Sequence, residues 1–205
     1  MIHTLNINTL KAAQFCSANK DVRYYLNSVY LDFKVDTVLP HVNVIATDGR
    51  LLAAYRDKLT DTDTATVRAD FSVIVPLETI KAVLKLVGKN QKTIELEKMG
   101  ENWRLGYLNF VPIDGKYPDY MRVIPGTEKR HHDNSAPRLD PEIVIKAQKS
   151  LNTRLGFTAT AKGKGSLTYG PTKNDSAVLH NGDNTSLVVI MPMRDAQDVY
   201  FGFTE

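Results

Sequence analysis

Lysine and arginine recur along three stretches of helical spacing, and these are the first residues whose pattern points to chemistry. Lys11 and Lys20 flank the first stretch, Lys81, Lys85 and Lys89 follow the second, and Lys146, Lys149 and Arg154 mark the third. Each stretch holds more cations than anions, although for any single lysine a solvated helix face is the ordinary reading. A second candidate is the apolar run Val188-Val-Ile-Met-Pro-Met193, closed directly by Arg194, where a cation follows groups that would otherwise read as core. Catalytic groupings are missing. The sequence has no Gly-rich phosphate loop, no Gly-x-Ser-x-Gly and no His-Glu-x-x-His. The five histidines are scattered except for His131-His132, which falls in a charged stretch without further ligands at metal-binding spacing. Cys16 lies on an apolar helix face, as an inert buried thiol would, and Asp48 in Thr47-Asp-Gly49 reads as a turn former rather than a general base.

The elements that must carry these residues follow from apolar periodicity. The 205 residues are 42% hydrophobic and 24% charged with a formal charge of +3, enough apolar material for one large or two small domains. With one cysteine no internal disulfide is possible, and a reducing, cytoplasmic setting is expected. No run approaches the roughly 20 apolar residues of a membrane span, and the first residues lack the basic start and apolar core of a secretory signal.

A first helix is expected from a cap at Asn8 or Thr9, with Leu10, Ala13 and Cys16 on one face. Strands follow at 23–27, 29–33, 41–46 and 51–55. The pattern then repeats. Phe71 to Pro76 is a strand, Pro76 opens a helix to about Val87, and strands resume at 93–97, 102–106 and 107–111. Prolines and glycines between Pro112 and Pro137 mark a composition shift whose later part reads as a linker. A third unit starts at the cap Asp140-Pro141, runs as a helix to about Leu151, and continues as strands at 155–161, 166–169, 177–180 and 187–191. Three helix-plus-meander modules therefore make an α+β protein with internal repetition.

Five strings of residues, in this order, resemble the bacterial DNA polymerase III beta subunit, the sliding clamp. They are Arg23-Tyr-Tyr-Leu-Asn27, Ala46-Thr-Asp-Gly49 with Leu52-Ala53, Phe71-Ser-Val-Ile-Val-Pro76, Gly115-Lys-Tyr-Pro-Asp-Tyr-Met-Arg-Val-Ile-Pro125, and Val188 to Arg194. The first four are similar to the clamp's middle domain and the last to the end of its C-terminal domain. The resemblance implies a DNA clamp fold and a homo-oligomeric accessory subunit of DNA polymerase III, with no catalysis and no cofactor or metal of its own. Its inward cations, here Lys11, Lys20, Lys81, Lys85, Lys89, Lys146, Lys149 and Arg154, would meet double-stranded DNA without reading its sequence. It also implies a pocket for short Gln/Leu/Phe-type motifs of polymerases and other partners. By that resemblance the pocket is lined by Leu26, Thr47, Gly49, Arg50, Leu52, Pro118, Arg122, Val123, Val189, Ile190, Met191, Pro192, Met193 and Arg194.

The chain also departs from the family. Residues 1–124 resemble one complete two-module domain, 125–138 a linker, and 139–205 half of a C-terminal domain plus a tail. The family's first domain has no counterpart, and module three alone would leave an open sheet edge. Self-association into a trimeric or tetrameric ring is one consequence. A phage-, prophage- or plasmid-type adaptor that binds the same peptides without encircling DNA is the alternative. Where the family usually has His-Arg after its Asp-Gly turn, Arg50 and Leu51 stand here. In the tail, Gln197-Asp-Val-Tyr-Phe201 is similar to clamp-binding peptides, while Val199 to Phe203 also reads as a closing strand.

Overall fold

A computed structural model describes residues 2–60, 69–126, 137–158, 165–170, 172, 174–182 and 184–193. Strand β1 (Ile2–Asn6) runs directly into helix α1 (Ile7–Cys16). The Asn6 side chain caps this helix by accepting from the N–H groups of Asn8 (2.8 Å) and Thr9 (3.4 Å). The cap therefore lies two or three residues earlier than expected, because Asn6 is the last extended residue and its oxygen reaches the free amides of the first turn. Leu10, Ala13 and Cys16 are buried as a face, together with Ile7 and Ala12. Helix α2 (Leu77–Leu86) buries Leu77, Ile80 and Val83. Helix α3 (Pro141–Arg154) is capped by Asp140 and buries Ile143, Ala147 and Leu151.

Two expected strands are something else. Residues 23–27 are β-rich in composition, yet Tyr24–Leu26 form a 3-10 turn, with Leu26 N–H bonded to Arg23 C=O. The strand expected at 155–161 is, over its described residues 155–158, the turn that closes α3. There Phe157 N–H bonds Asn152 C=O, Gly156 N–H bonds Thr153 C=O, and Gly156 has φ +80°, a Schellman ending that only glycine adopts without strain.

Strands β2 (Ser28–Lys34), β3 (His41–Thr47), β4 (Leu51–Lys58) and β5 (Phe71–Pro76) belong to one sheet. Strands β6 (Thr93–Met99), β7 (Asn102–Leu105) and β8 (Leu108–Phe110) complete the second module. The first two modules exchange their leading strands: β1 pairs with β6, and β5 pairs with β2. The third module supplies β9 (Ser166–Thr168), β10 (Ala177–His180) and β11 (Ser186–Ile190). One sheet has the order β1-β6-β7-β8 and the other β5-β2-β3-β4-β11-β10-β9, with antiparallel pairing at every step.

The step between β4 and β11 answers the open-edge problem of module three. These strands pair from Ser186 with Tyr55 to Ile190 with Leu51, so the sheet runs unbroken from the first module into the third. The helices repeat the junction, because α3 packs against α1. Ser150 Oγ donates to Ala12 C=O (2.7 Å) and lies 2.6 Å from the Tyr55 hydroxyl. Arg154 bonds Asp57 (2.7 Å), which also accepts from Thr9 Oγ1 (2.7 Å). One apolar core beneath the helices includes Leu10, Leu31, Phe33, Trp103, Leu151 and Val188, and so spans all three modules.

The larger sheet is buried on its other face too. Ile45, Leu52, Ile74 and Val189 pack there against Tyr117 and Tyr120 of the segment 111–124, which is folded over the sheet. Tyr117 stacks on Tyr30 at 4.6 Å between ring centroids. Strand residues therefore alternate between two apolar layers, the pattern of a doubly covered sheet.

Cys16 is fully enclosed at the junction of α1 and α3, and donates to Ser150 Oγ at 3.2 Å. Burial pushes its thiol up to about 12, with the Ser150 contact only partly offsetting this. A thiol reagent at neutral pH is expected to leave Cys16 unmodified in native protein and to label it stoichiometrically in denaturant. Fast native labelling would contradict a closed α1–α3 contact.

Candidate functional site

The turn between β3 and β4 is built by its own side chains. Asp48 Oδ1 accepts from the N–H groups of Arg50 (2.9 Å) and Leu51 (3.1 Å), and Gly49 N–H donates to Thr47 Oγ1 (3.0 Å). Gly49 has φ +89°, and a Cβ there would stand 3.0 Å from Arg23 Nη2. Arg23 is itself held by Asp21 through Nε (3.0 Å) and Nη2 (2.8 Å). Hydrogen bonds from the Arg23 side chain and amide keep the Asp21 carboxyl down at about 2.

This turn forms one wall of a cavity of about 190 Å³ at the junction of β4 and β11. Of the expected pocket residues, Leu26, Thr47, Gly49, Leu52, Pro118, Val123 and Met191 line it. Gly49, Val123 and Met191 continue into a wider adjoining groove, which also takes in Arg50, Arg122, Pro192 and Met193. Asp140, Ile143 and Asn174 to Ser176 form its far side. Arg122 bonds Asp119 (3.0 Å) but keeps 85% of its side chain exposed, and Arg50 reaches Asp140 at 3.6 Å.

Val189 and Ile190 do not line the pocket. Both are fully buried in β11, Val189 in the layer under Tyr117 and Tyr120 and Ile190 in the layer under the helices, because alternate strand residues point to opposite sheet faces. Arg194 and the tail, with Gln197 to Phe201 and Val199 to Phe203, lie outside the described residues, as do His131 and His132.

Arg23, Tyr25, Leu51, Tyr117 and Tyr120 also line the cavity and were missing from the expected set. Their signal lay in the same strings, in tyrosines flanking Pro118 and next to Leu26. Tyr120 is anchored from below: its hydroxyl donates to Asp32 Oδ2 (2.7 Å) and accepts from Asn43 Nδ2 (3.2 Å), while Arg56 Nε bonds Asn43 Oδ1 (3.0 Å). Burial and the neighbouring Asp32 raise the Tyr120 hydroxyl well above its ordinary value, so it stays a donor.

The cations divide into two groups. Lys11, Lys81 and Lys85 gather around one groove of the helix layer, which Gln14, Phe15, Leu84 and Thr153 complete. Lys149 is exposed one turn before Thr153, and Lys20 and Lys89 are exposed beyond the ends of α1 and α2. Lys81 also contacts Glu78 (2.9 Å) and Asn19 (3.2 Å). Lys146 and Arg154, also in the expected DNA-facing set, are both engaged within the chain, as Lys81 is. Lys146 Nζ sits 2.5 Å from Asp48 Oδ2, and Arg154 bonds Asp57 and the Arg56 carbonyl (3.0 Å) with 14% of its side chain exposed. Among the described residues no group of three or more His, Cys, Asp and Glu side chains could hold a metal ion.

Residues 3–119, more than half of the chain, match the family model described as DNA polymerase III beta subunit, central domain. The chain belongs to this family. The beta sliding clamp of Vibrio cholerae is 32% identical over 123 residues, covering 57% of this chain and 30% of that protein. The beta sliding clamp of Caulobacter vibrioides is 28% identical over 157 residues, covering 73% of this chain and 41% of that protein. The chain thus spans less than half the length of these curated relatives. Among solved structures, the Bacillus subtilis sliding clamp superposes with a TM-score of 0.68 at 12% identity, over 96% of this chain and 65% of that one. A Caulobacter crescentus clamp gives 0.66 at 20% identity, over 95% and 66%. A Pseudomonas aeruginosa clamp bound to griselimycin gives 0.65 at 19% identity, again over 95% and 66%. These likenesses establish the α+β clamp fold for the beta-subunit family member described here. Its relatives are clamp proteins rather than catalytic enzymes, and among the described residues no helix is long and apolar enough to cross a membrane.

Proposed function

We propose that this chain works as a sliding-clamp-type processivity factor of the bacterial cytoplasm, which self-associates around duplex DNA and binds partner peptides in the pocket between its first and third modules. The observation that carries this reading is the junction of the first and third modules. The chain spans less than half of its curated relatives, yet β4 and β11 meet edge to edge beside an apolar cavity lined in part by Arg23, with Arg122 in the adjoining groove. Apolar walls suit Leu and Phe anchors, Met191 adapts to more than one ligand, and the guanidinium groups suit peptide carbonyls or a carboxylate.

The lysine groove supports the DNA half of the reading. Lys11, Lys81 and Lys85 lie in the helix layer, while Tyr117 and Tyr120 of the pocket cover the other sheet face, so phosphate and peptide would be met by different surfaces. Amines contacting phosphate alone permit sliding, because they read no bases.

Self-association has a structural candidate. In the smaller sheet β8 is the last strand of its module, as β4 is of the first module, and among the described strands its outer edge is unpaired whereas that of β4 is taken by β11. Exposed Leu86, Tyr107 and Val111 surround it. Strand β9 ends the other sheet, so β8 of one copy meeting β9 of the next gives a head-to-tail contact that can close into a ring.

Light scattering over a range of concentrations, followed by retention on circular DNA, tests the proposal. A stable trimer or tetramer that is held by closed circles and lost after linearisation is expected. A monomer at all concentrations would sink encirclement, and a dimer would supply too few modules for a ring of the family's size.

A further inference from the structure

The pocket turn of the first module is tied to the third module at several points. Asp48 uses both carboxylate oxygens: Oδ1 holds the Arg50 and Leu51 amides, and Oδ2 holds the Lys146 ammonium of α3 at 2.5 Å. Only 10% of the Asp48 side chain and 32% of the Lys146 side chain are exposed, so solvent screens the pair weakly. Arg50 reaches Asp140, the N-cap of α3, at 3.6 Å, and its carbonyl accepts from Met191 N–H (2.9 Å) just past β11. Burial opposes ionisation of Asp48, but the Lys146 ammonium and the two amides outweigh it and hold the carboxyl below the usual range.

We propose that Lys146 is a positioning residue for the pocket: by gripping Asp48 it fixes the Thr47 to Arg50 turn, so that the docking of α3 sets how well the pocket receives a peptide. This rests on the peptide-binding reading given above. Lys146 itself lines neither the cavity nor the adjoining groove, and so acts through Asp48 alone. Without the ammonium, Asp48 retains two amide donors on one oxygen and a largely buried, unpaired charge on the other. The side chain then turns toward water and the amides of Arg50 and Leu51 lose their acceptor.

The test uses the full chain, a fluorescent Gln-Leu-x-Leu-Phe peptide, and amide hydrogen exchange. Lys146→Met is expected to weaken peptide binding about tenfold, the loss of one well-made interaction, and to speed exchange at Arg50 and Leu51 while leaving Leu31 and Val44 in the sheet interior unchanged. Lys146→Arg keeps the charge and is expected to restore affinity to within about threefold. Unchanged affinity and unchanged exchange in Lys146→Met would overturn the proposal. So would faster exchange at Leu31 and Val44 alongside equal loss in both variants, since that is general destabilisation. A wild-type chain that binds no peptide would remove the functional reading instead, and exchange at Arg50 and Leu51 would still decide whether Lys146 holds the turn.

Discussion

Replacing Leu151 by alanine is expected to lower the unfolding free energy by about 3 kcal/mol, and the loss should register at Trp103, which belongs to a different module. Leu151 is fully buried on α3 and shares one apolar core with α1 and with Trp103 of β7. Deleting most of such a side chain removes its transfer free energy and leaves a cavity that the surrounding strands fill only in part, a cost of roughly 3 to 5 kcal/mol in well-packed cores. The chain has a single tryptophan, so its fluorescence follows the smaller sheet without interference. In urea one transition is expected, displaced to lower denaturant in the variant by the same amount for Trp103 fluorescence and for far-ultraviolet circular dichroism. An unshifted Trp103 transition would mean that the third module unfolds alone and that the continuous sheet does not couple the modules.

The second large effect concerns ligand affinity. Met191 lines both the cavity and the adjoining groove, yet it is only half-buried. A glutamate at this position places a carboxylate where an apolar anchor of a bound peptide would sit, which requires desolvating an unpaired charge. The proposed pocket should then bind a Gln/Leu/Phe-type peptide about a hundredfold more weakly, equivalent to about 2.7 kcal/mol. The midpoint of thermal unfolding should shift little, because the free protein leaves the new carboxylate in water. Titration of a labelled peptide by fluorescence anisotropy measures the effect, and wild-type affinity in Met191→Glu would place the peptide elsewhere.

Local chemistry was legible where neighbours in the sequence supply it. Helix faces at Leu10, Ala13 and Cys16 and at Ile143, Ala147 and Leu151 follow from 3.6-residue spacing, and the Asp140-Pro141 start follows from capping. Most strands of the first two modules, the Asp48-Gly49 turn and the family strings needed no tertiary information either. Residues 23–27 misled because tyrosine favours strands, while the actual turn is set by Arg23 and Asn27 making bonds that propensity does not encode. At 155–158 the signal was Gly156, which ends a helix as readily as it starts a loop.

The sequence alone established an α+β protein of three helix-plus-meander units, and its motifs carried the resemblance to clamps. The tertiary structure decided which edges meet, which apolar layer each strand residue enters, and which cations find a carboxylate partner in another module. Lys146 and Arg154 show why. Their helical spacing matches that of Lys149, but the partners that pair with them, Asp48 and Asp57, lie nearly a hundred residues away and come within 3 Å only because the first module and α3 pack together. Charge and periodicity are properties of short windows, whereas desolvation and pairing depend on what the fold brings alongside.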